Sequence, residues 1–282
     1  MQTYKPFSKH YGFAAILAGV FGLYASAGDS QVINNTGTVV NWYKPPVEVK
    51  WQMQLQGTMV PNYNNDLFDI DLFDTPQATI TQLHSMGKHV ICYFSAGSSE
   101  NWRPDFKDFL PSDMGKDLSG WPGEKWLDVR SENVRNIMTA RMNLAVSKKC
   151  DGVDPDNVDG YSNKTGFPLT AADQINYDTF LATTAHALGL TVDLKNDVAQ
   201  VKSLVANFDF AVNEQCHQYN ECNTLTPFIT AGKPVLNIEY QKKYVTNPAD
   251  FAALCKSSLA LKFSTEVLPL SLNGKYVYSC LP

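Results

Sequence analysis

Four aspartates fall within nine positions of this chain: Asp151, Asp154, Asp156 and Asp159, in the stretch Cys150-Asp151-Gly152-Val153-Asp154-Pro155-Asp156-Asn157-Val158-Asp159-Gly160. Ionised carboxylates so close together raise one another's pKa and cost stability, and a turn does not need four of them. Where a short buried strand ends, such a cluster implies acid/base or nucleophilic chemistry, a metal, or a cationic ligand. Asp154 and Asp156 are two residues apart and share one face of a strand. Asp151 and Asp159 are placed to bond turns.

Carboxylates recur where other short apolar runs end, at Asp71, Asp193, Glu214 and Glu239, with Tyr93, Lys195 and Tyr240 in equivalent places. Cleaving a glycosidic bond needs two carboxylates, one to protonate the leaving oxygen and one to attack the anomeric carbon or activate water. Asp156 and Glu214 are the candidate pair and Glu239 a third candidate; spacing does not say which carboxylate does which job. Asp154, Asn157 and Asp159 would line the same cleft. Trp51, Tyr93, Trp102, Tyr161 and Tyr240 could stack on sugar faces. Lys195 is the one cation at a strand end; it would pair with Asp193, Asp156 or Glu239 and lower a nucleophile's pKa.

Other chemistries fit less well. Residues 154–160 resemble a calcium loop, but Val158 stands at a ligand position and Thr165 where the closing Glu belongs. Gly97-Ser98-Ser99 lacks the second glycine of a nucleophile elbow, since Asn101 occupies its place. The histidines at 84, 89, 186 and 217 have no zinc spacing, and Asp154-Pro155-Asp156 is too short a match to a metal-dependent sugar transferase motif. No metal is expected.

The elements that must position these residues alternate. Strands are expected at 51–55, 67–72, 88–94, 151–156, 190–195, 208–213 and 234–240, with a weak eighth at 261–263. Helices are expected at 76–86, 131–148, 171–188, 197–206 and 248–259, with 95–128 a long polar loop. Strands separated by helices imply a parallel sheet, and residues 47–282 match the size of a single closed (β/α)8 barrel. A doubly wound open sheet is the alternative, but no Gly-rich phosphate loop follows the first strand.

The N-terminus carries Lys5, Lys9 and His10, an apolar run from Phe13 to Tyr24, and the cleavable triplet Ala25-Ser26-Ala27. Residues 1–27 read as a signal peptide, with an uncleaved anchor as the alternative, and 28–46 as a leader or linker. Losing Lys5 and Lys9 leaves 21 Lys+Arg against 28 Asp+Glu, a charge of −7. That excludes nucleic acid as a partner and suits a cationic one. The expected product is secreted, free of the membrane and monomeric. Six cysteines favour disulfides in an oxidising compartment. Cys216–Cys222 would close a short loop, Cys255–Cys280 would tie down the C-terminus, and Cys92–Cys150 is left by elimination. The sequons at Asn34 and Asn163 fit a glycoprotein.

Five ordered segments resemble glycoside hydrolase family 114, the endo-α-1,4-polygalactosaminidases: 88–97 (KHVICYFSAG), 126–130 (WLDVR), 150–159 (CDGVDPDNVD), 210–216 (FAVNEQC) and 233–240 (KPVLNIEY). The resemblance implies a (β/α)8 barrel that cuts α-1,4-linked galactosamine polymers internally, with no cofactor. It further implies Asp156 as nucleophile and Glu214 as general acid/base of a retaining mechanism. A deacetylated galactosamine carries an ammonium, which Asp154, Asp159 or Glu239 would bind. Two other readings remain: a catalytically silent carbohydrate-binding barrel, and a hydrolase of another α-linked galactose or galactosamine polymer.

Overall fold

The computed structural model describes residues 32–33, 39–62 and 64–282. The expected signal peptide and Asn34 lie outside the described residues. No helix among those described is long and apolar enough to cross a membrane.

Eight parallel strands, β1 (Trp51–Gln54), β2 (Leu67–Asp71), β3 (His89–Ser95), β4 (Gly152–Asp156), β5 (Thr191–Lys195), β6 (Phe210–Glu214), β7 (Val235–Glu239) and β8 (Ser264–Val267), pair in chain order. Four long helices return the chain: α1 (Gln77–Ser85), α2 (Glu132–Ser147), α3 (Ala171–Ala187) and α4 (Pro248–Ala260). Their ends follow local chemistry. Ser131 caps α2, and Thr170 with Asp173 forms a capping box on α3.

Closure of the ring is irregular. The strand Tyr278–Ser279 pairs antiparallel with β8 on the edge that would otherwise meet β1. Trp51 Nε1 donates instead to the Ser264 carbonyl (3.0 Å), and the N–H groups of Leu55 and Gln56 donate to the Leu272 carbonyl.

The eighth strand lies later than expected. Leu261 is the C-cap of α4 and Lys262 has a left-handed φ of 59°, so the chain reverses before extending at Ser264. Its Ser-Thr-Glu-Val sequence is polar yet buried, which hid it from an apolar pattern. The supposed loop 95–128 also differs from expectation. It contains a three-stranded antiparallel sheet of Ser98–Glu100, Glu124–Leu127 and Met114–Asp117. The expected helix over 197–206 shrinks to Val201–Leu204.

Strand alternation divides the core in two. One set of faces (Phe68, Val90, Phe94, Val153, Val192, Leu194) packs under the helices. The other (Trp51, Met53, Leu67, Ile91, Phe210, Val212, Leu236, Ile238) fills the barrel base. Gly152 leaves room there, because a Cβ would lie 2.1 Å from Thr191 Cγ2 and 2.8 Å from Ile91 Cδ1. The part of the expected leader from residue 41 is no free linker. Trp42 stacks on His186 in the last turn of α3 and donates to Asp209 just before β6 (2.9 Å), while Tyr43 stacks on His89 at the start of β3. All three expected disulfides are present, and Cys92–Cys150 ties β3 to the residue that leads toward β4.

Candidate active site

Reading up the barrel interior from the apolar base, the strands present a layer of carboxyls and then a mouth of polar groups. Asp69, Asp154 and Asp193 form the middle layer, all fully buried. Burial and the charge of Asp154 push Asp69 and Asp193 well above the usual carboxylate range. Burial also raises Asp154, against the pull of Lys195, whose Nζ lies 3.2 Å away. Burial alone would pull Lys195 down, but Asp154, Asp156, Glu214 and Asp193 outweigh it and hold the ammonium charged. This cation is thus fixed below the mouth by acids around it.

At the mouth, Asp156 ends β4. Its Oδ2 accepts from Tyr93 Oη (2.9 Å), its Oδ1 accepts from the Asn157 N–H (2.7 Å), and Lys195 Nζ stands 3.7 Å from Oδ1. Glu214 ends β6. Asn196 Nδ2 donates to its Oε2 (3.1 Å), Tyr240 Oη donates to its Oε1, and Asn196 Oδ1 accepts from its N–H. Burial and the adjacent acids push both phenols up, Tyr93 beside Asp156 and Tyr240 beside Glu214, so each remains a donor.

The residues that follow these strands are in left-handed backbone: Asn157 (φ 62°), Asn196 (52°), Asp197 (34°) and Gln215 (65°). Asn is among the few side chains that tolerate this region. Strain of this kind, at three strand ends in a row, is typical of functional sites. Asn157 Nδ2 donates to Ser95 Oγ (2.9 Å), and Gly97 makes room for the bend, since a Cβ there would lie 1.7 Å from the Asn157 carbonyl oxygen.

The cleft has two connected lobes. One, of about 410 Å³, contains Asp156, Tyr93, Asn157 and Lys195 together with the small antiparallel sheet. That sheet brings Glu100 opposite Glu124 in register. Arg103 answers the acids here, at 2.6 Å from Asp71, 2.9 Å from Glu100 and 3.3 Å from Asp74. Ser98 Oγ donates to Glu124 (2.6 Å), and burial pushes that carboxyl up to about 7. The second lobe, of about 450 Å³, is lined by Asp197, Tyr161, Tyr219 and Glu221. Burial and then Asp159 push Asp197 up to about 8. Trp121, Asp159, Asn196, Glu214 and Leu270 line both lobes, so Glu214 stands at their junction.

Asp156, Glu214, Asn157, Asp159, Tyr93, Lys195 and Tyr240 therefore come together, with Asp154 as the buried support beneath. Two expected binding residues do not join them. Trp51 begins β1 and is buried at the barrel base. Glu239 lies next to Ile238, whose side chain points inward, so its own faces outward. There it accepts from the His217 N–H (2.9 Å) and from Asn237. Asp151 lies at the far end, where it accepts from Val90 N–H and pairs with His84, joining β3 and α1 rather than bonding a turn. Asn163 stands on the rim of the Asp156 lobe. Sequence reasoning missed Glu100, Arg103, Glu124, Trp121, Asn196 and Asp197. Only Asn196-Asp197 carried a signal, a turn-prone pair directly after a strand.

Residues 33–281 match the profile of glycoside-hydrolase family GH114. No curated protein matches. Among solved structures, Ega3 of Aspergillus fumigatus, in complex with galactosamine, is 46% identical over 85% of this chain and 98% of that one, with a TM-score of 0.80. The glycoside hydrolase domain of PelA from Pseudomonas aeruginosa is 13% identical over 82% of this chain and 97% of that one, at a TM-score of 0.63, and shares the fold. The chain belongs to glycoside-hydrolase family GH114.

Proposed function

We propose that this protein is a secreted, endo-acting hydrolase of α-1,4-linked galactosamine polymers of the galactosaminogalactan type, with Asp156 and Glu214 as its working pair. The observation that carries the reading is their placement. Each ends a barrel strand, each is held by two donors, and both open into one acidic cleft. The similarity to a structure that holds galactosamine supports the substrate class, and the three disulfides fit an oxidising compartment.

In the retaining mechanism, a carboxylate oxygen of Asp156 attacks the anomeric carbon as its bond to the glycosidic oxygen breaks. Glu214 gives its proton to that departing oxygen. Glu214, now ionised, takes a proton from water; the resulting hydroxide attacks the anomeric carbon and the ester to Asp156 breaks, restoring both groups. Lys195, Tyr93 and the Asn157 N–H hold Asp156 in place and aimed. Asn196 and Tyr240 hold Glu214 in place. The carboxylates around the mouth supply counter-charge for substrate ammonium groups.

Incubating the protein with partly deacetylated galactosaminogalactan and following release by mass spectrometry tests this. Oligomers of several lengths are expected early. No release from this polymer, or equal release by Asp156→Asn, would leave a non-catalytic sugar-binding barrel. Release only from another α-linked galactose or galactosamine polymer in a panel would redirect the substrate assignment.

A further inference from the structure

The two lobes differ in how their acids are answered. In the Asp156 lobe, Arg103 takes Asp71, Asp74 and Glu100, Lys195 takes Asp156, and Ser98 donates to Glu124. Leu55, Leu118, Trp126 and Val158 add apolar wall. In the second lobe, Asp159, Asp197, Glu214 and Glu221 appear among the lining residues with no Lys, Arg or His. Asp197 is 4% exposed; the Tyr161 hydroxyl is the donor beside its carboxyl, and its Oδ2 has no hydrogen-bond partner among the described residues. A buried, unpartnered carboxyl oxygen is costly unless something arrives to satisfy it.

Resting on the activity proposed above, we propose that the Asp197 lobe is a leaving-group subsite that accepts only a galactosamine with a free amine. Three observations carry it. No Lys, Arg or His lines the lobe, so when Asp197 ionises the counter-charge has to come from a ligand. Its floor carboxyl is kept neutral by burial when nothing is bound, and an incoming ammonium converts it to a charge-assisted pair as its proton leaves to solvent. An N-acetyl group brings no charge and adds bulk, so it cannot form the charge-assisted pair that a free ammonium forms with Asp197. The side of the cut follows from the pair. A lobe lined by Glu214 and not by Asp156 cannot hold the sugar under attack, so it holds the half that departs with Glu214's proton.

Digestion of a partly acetylated α-1,4 polymer in ¹⁸O-water tests this, because the label marks each new reducing end. Tandem mass spectrometry then reads both ends of every product. For the wild-type protein, new unlabelled ends should be galactosamine almost without exception. Asp197→Asn should cut the fully deacetylated polymer about tenfold more slowly and should admit N-acetylgalactosamine at the unlabelled end. Unlabelled ends that follow the polymer's overall acetyl fraction would overturn the proposal without any variant. So would a bias confined to labelled ends, or a folded Asp197→Asn that keeps the wild-type bias. Absence of cutting on any polymer would instead overturn the underlying activity.

Discussion

The lobe over Asp156 and the lobe over Asp197 are both lined by acids, yet only the first has cations among its lining residues. Arg103 and Lys195, both nearly buried, neutralise the first internally. The second has no Lys, Arg or His among its lining residues, which leaves Asp197 to be answered by what binds. One cleft can therefore combine a chemically poised centre, where charges must be fixed, with a recognition surface, where charge must be available. Preorganised charge serves the transition state, and unmatched charge serves discrimination.

Changing the poised side should have the largest effect. Asp156→Asn should lower kcat/KM by at least about 10³-fold, on acetylated and free substrates alike, with little change in melting temperature. Steady-state rates on defined oligomers check this, and an effect confined to one substrate class would blur the distinction between the lobes.

Next in size is the removal of the first lobe's cation. Arg103→Gln leaves Asp71 and Glu100 buried without their partner and should cost about 3 kcal/mol of stability, measured by denaturant unfolding. A near-neutral change would mean that the first lobe is not self-neutralised after all.

Smaller still is Tyr240→Phe, which removes a donor to Glu214 and should reduce kcat up to about tenfold with KM unchanged. A rise in KM alone would place Tyr240 in binding.

The mildest effect is on stability against pH. Burial raises Glu124 to about 7 and Asp197 to about 8, so the folded state binds protons that the unfolded chain has released. Their stabilisation is fully present below the unfolded carboxylate value, about 4, and is lost as pH rises through 7 to 8. Asp209 behaves oppositely: burial raises its carboxyl, but bonds from His186 and Trp42 outweigh this and lower it, so its contribution is lost only as the medium becomes strongly acid. The melting temperature should therefore rise between pH 8 and 5, and Asp197→Asn should flatten the upper part of that slope. Calorimetry across this range decides it, and an unchanged slope would remove Asp197 from the set.

How far the sequence anticipated this molecule depends on which residues are asked about. The strand-end acids were legible because parallel strands of four to seven residues announce their ends and the barrel rule supplies the side. Parity was harder. In β7 the apolar residues Leu236 and Ile238 point into the barrel base, so polar Asn237 and Glu239 face the helices, the reverse of what a polar cleft leads one to expect. Trp51 failed for a different reason, since the first residue of a strand lies at the end opposite the mouth. Glu100 and Glu124 were hidden because their meeting depends on pairing 24 residues apart in a small sheet inside an apparent loop, and nothing local encodes that register. Asp197 needed the cavity itself, because its role comes from what the surrounding lobe does not contain.

The most direct measurement of the central claim is the anomeric configuration of the first product, followed by proton NMR during digestion of an α-1,4-galactosamine oligomer. A retaining pair of Asp156 and Glu214 predicts that the α anomer appears first and mutarotates to β afterwards. A β anomer released first would contradict Asp156 as nucleophile and recast it as the base for an attacking water.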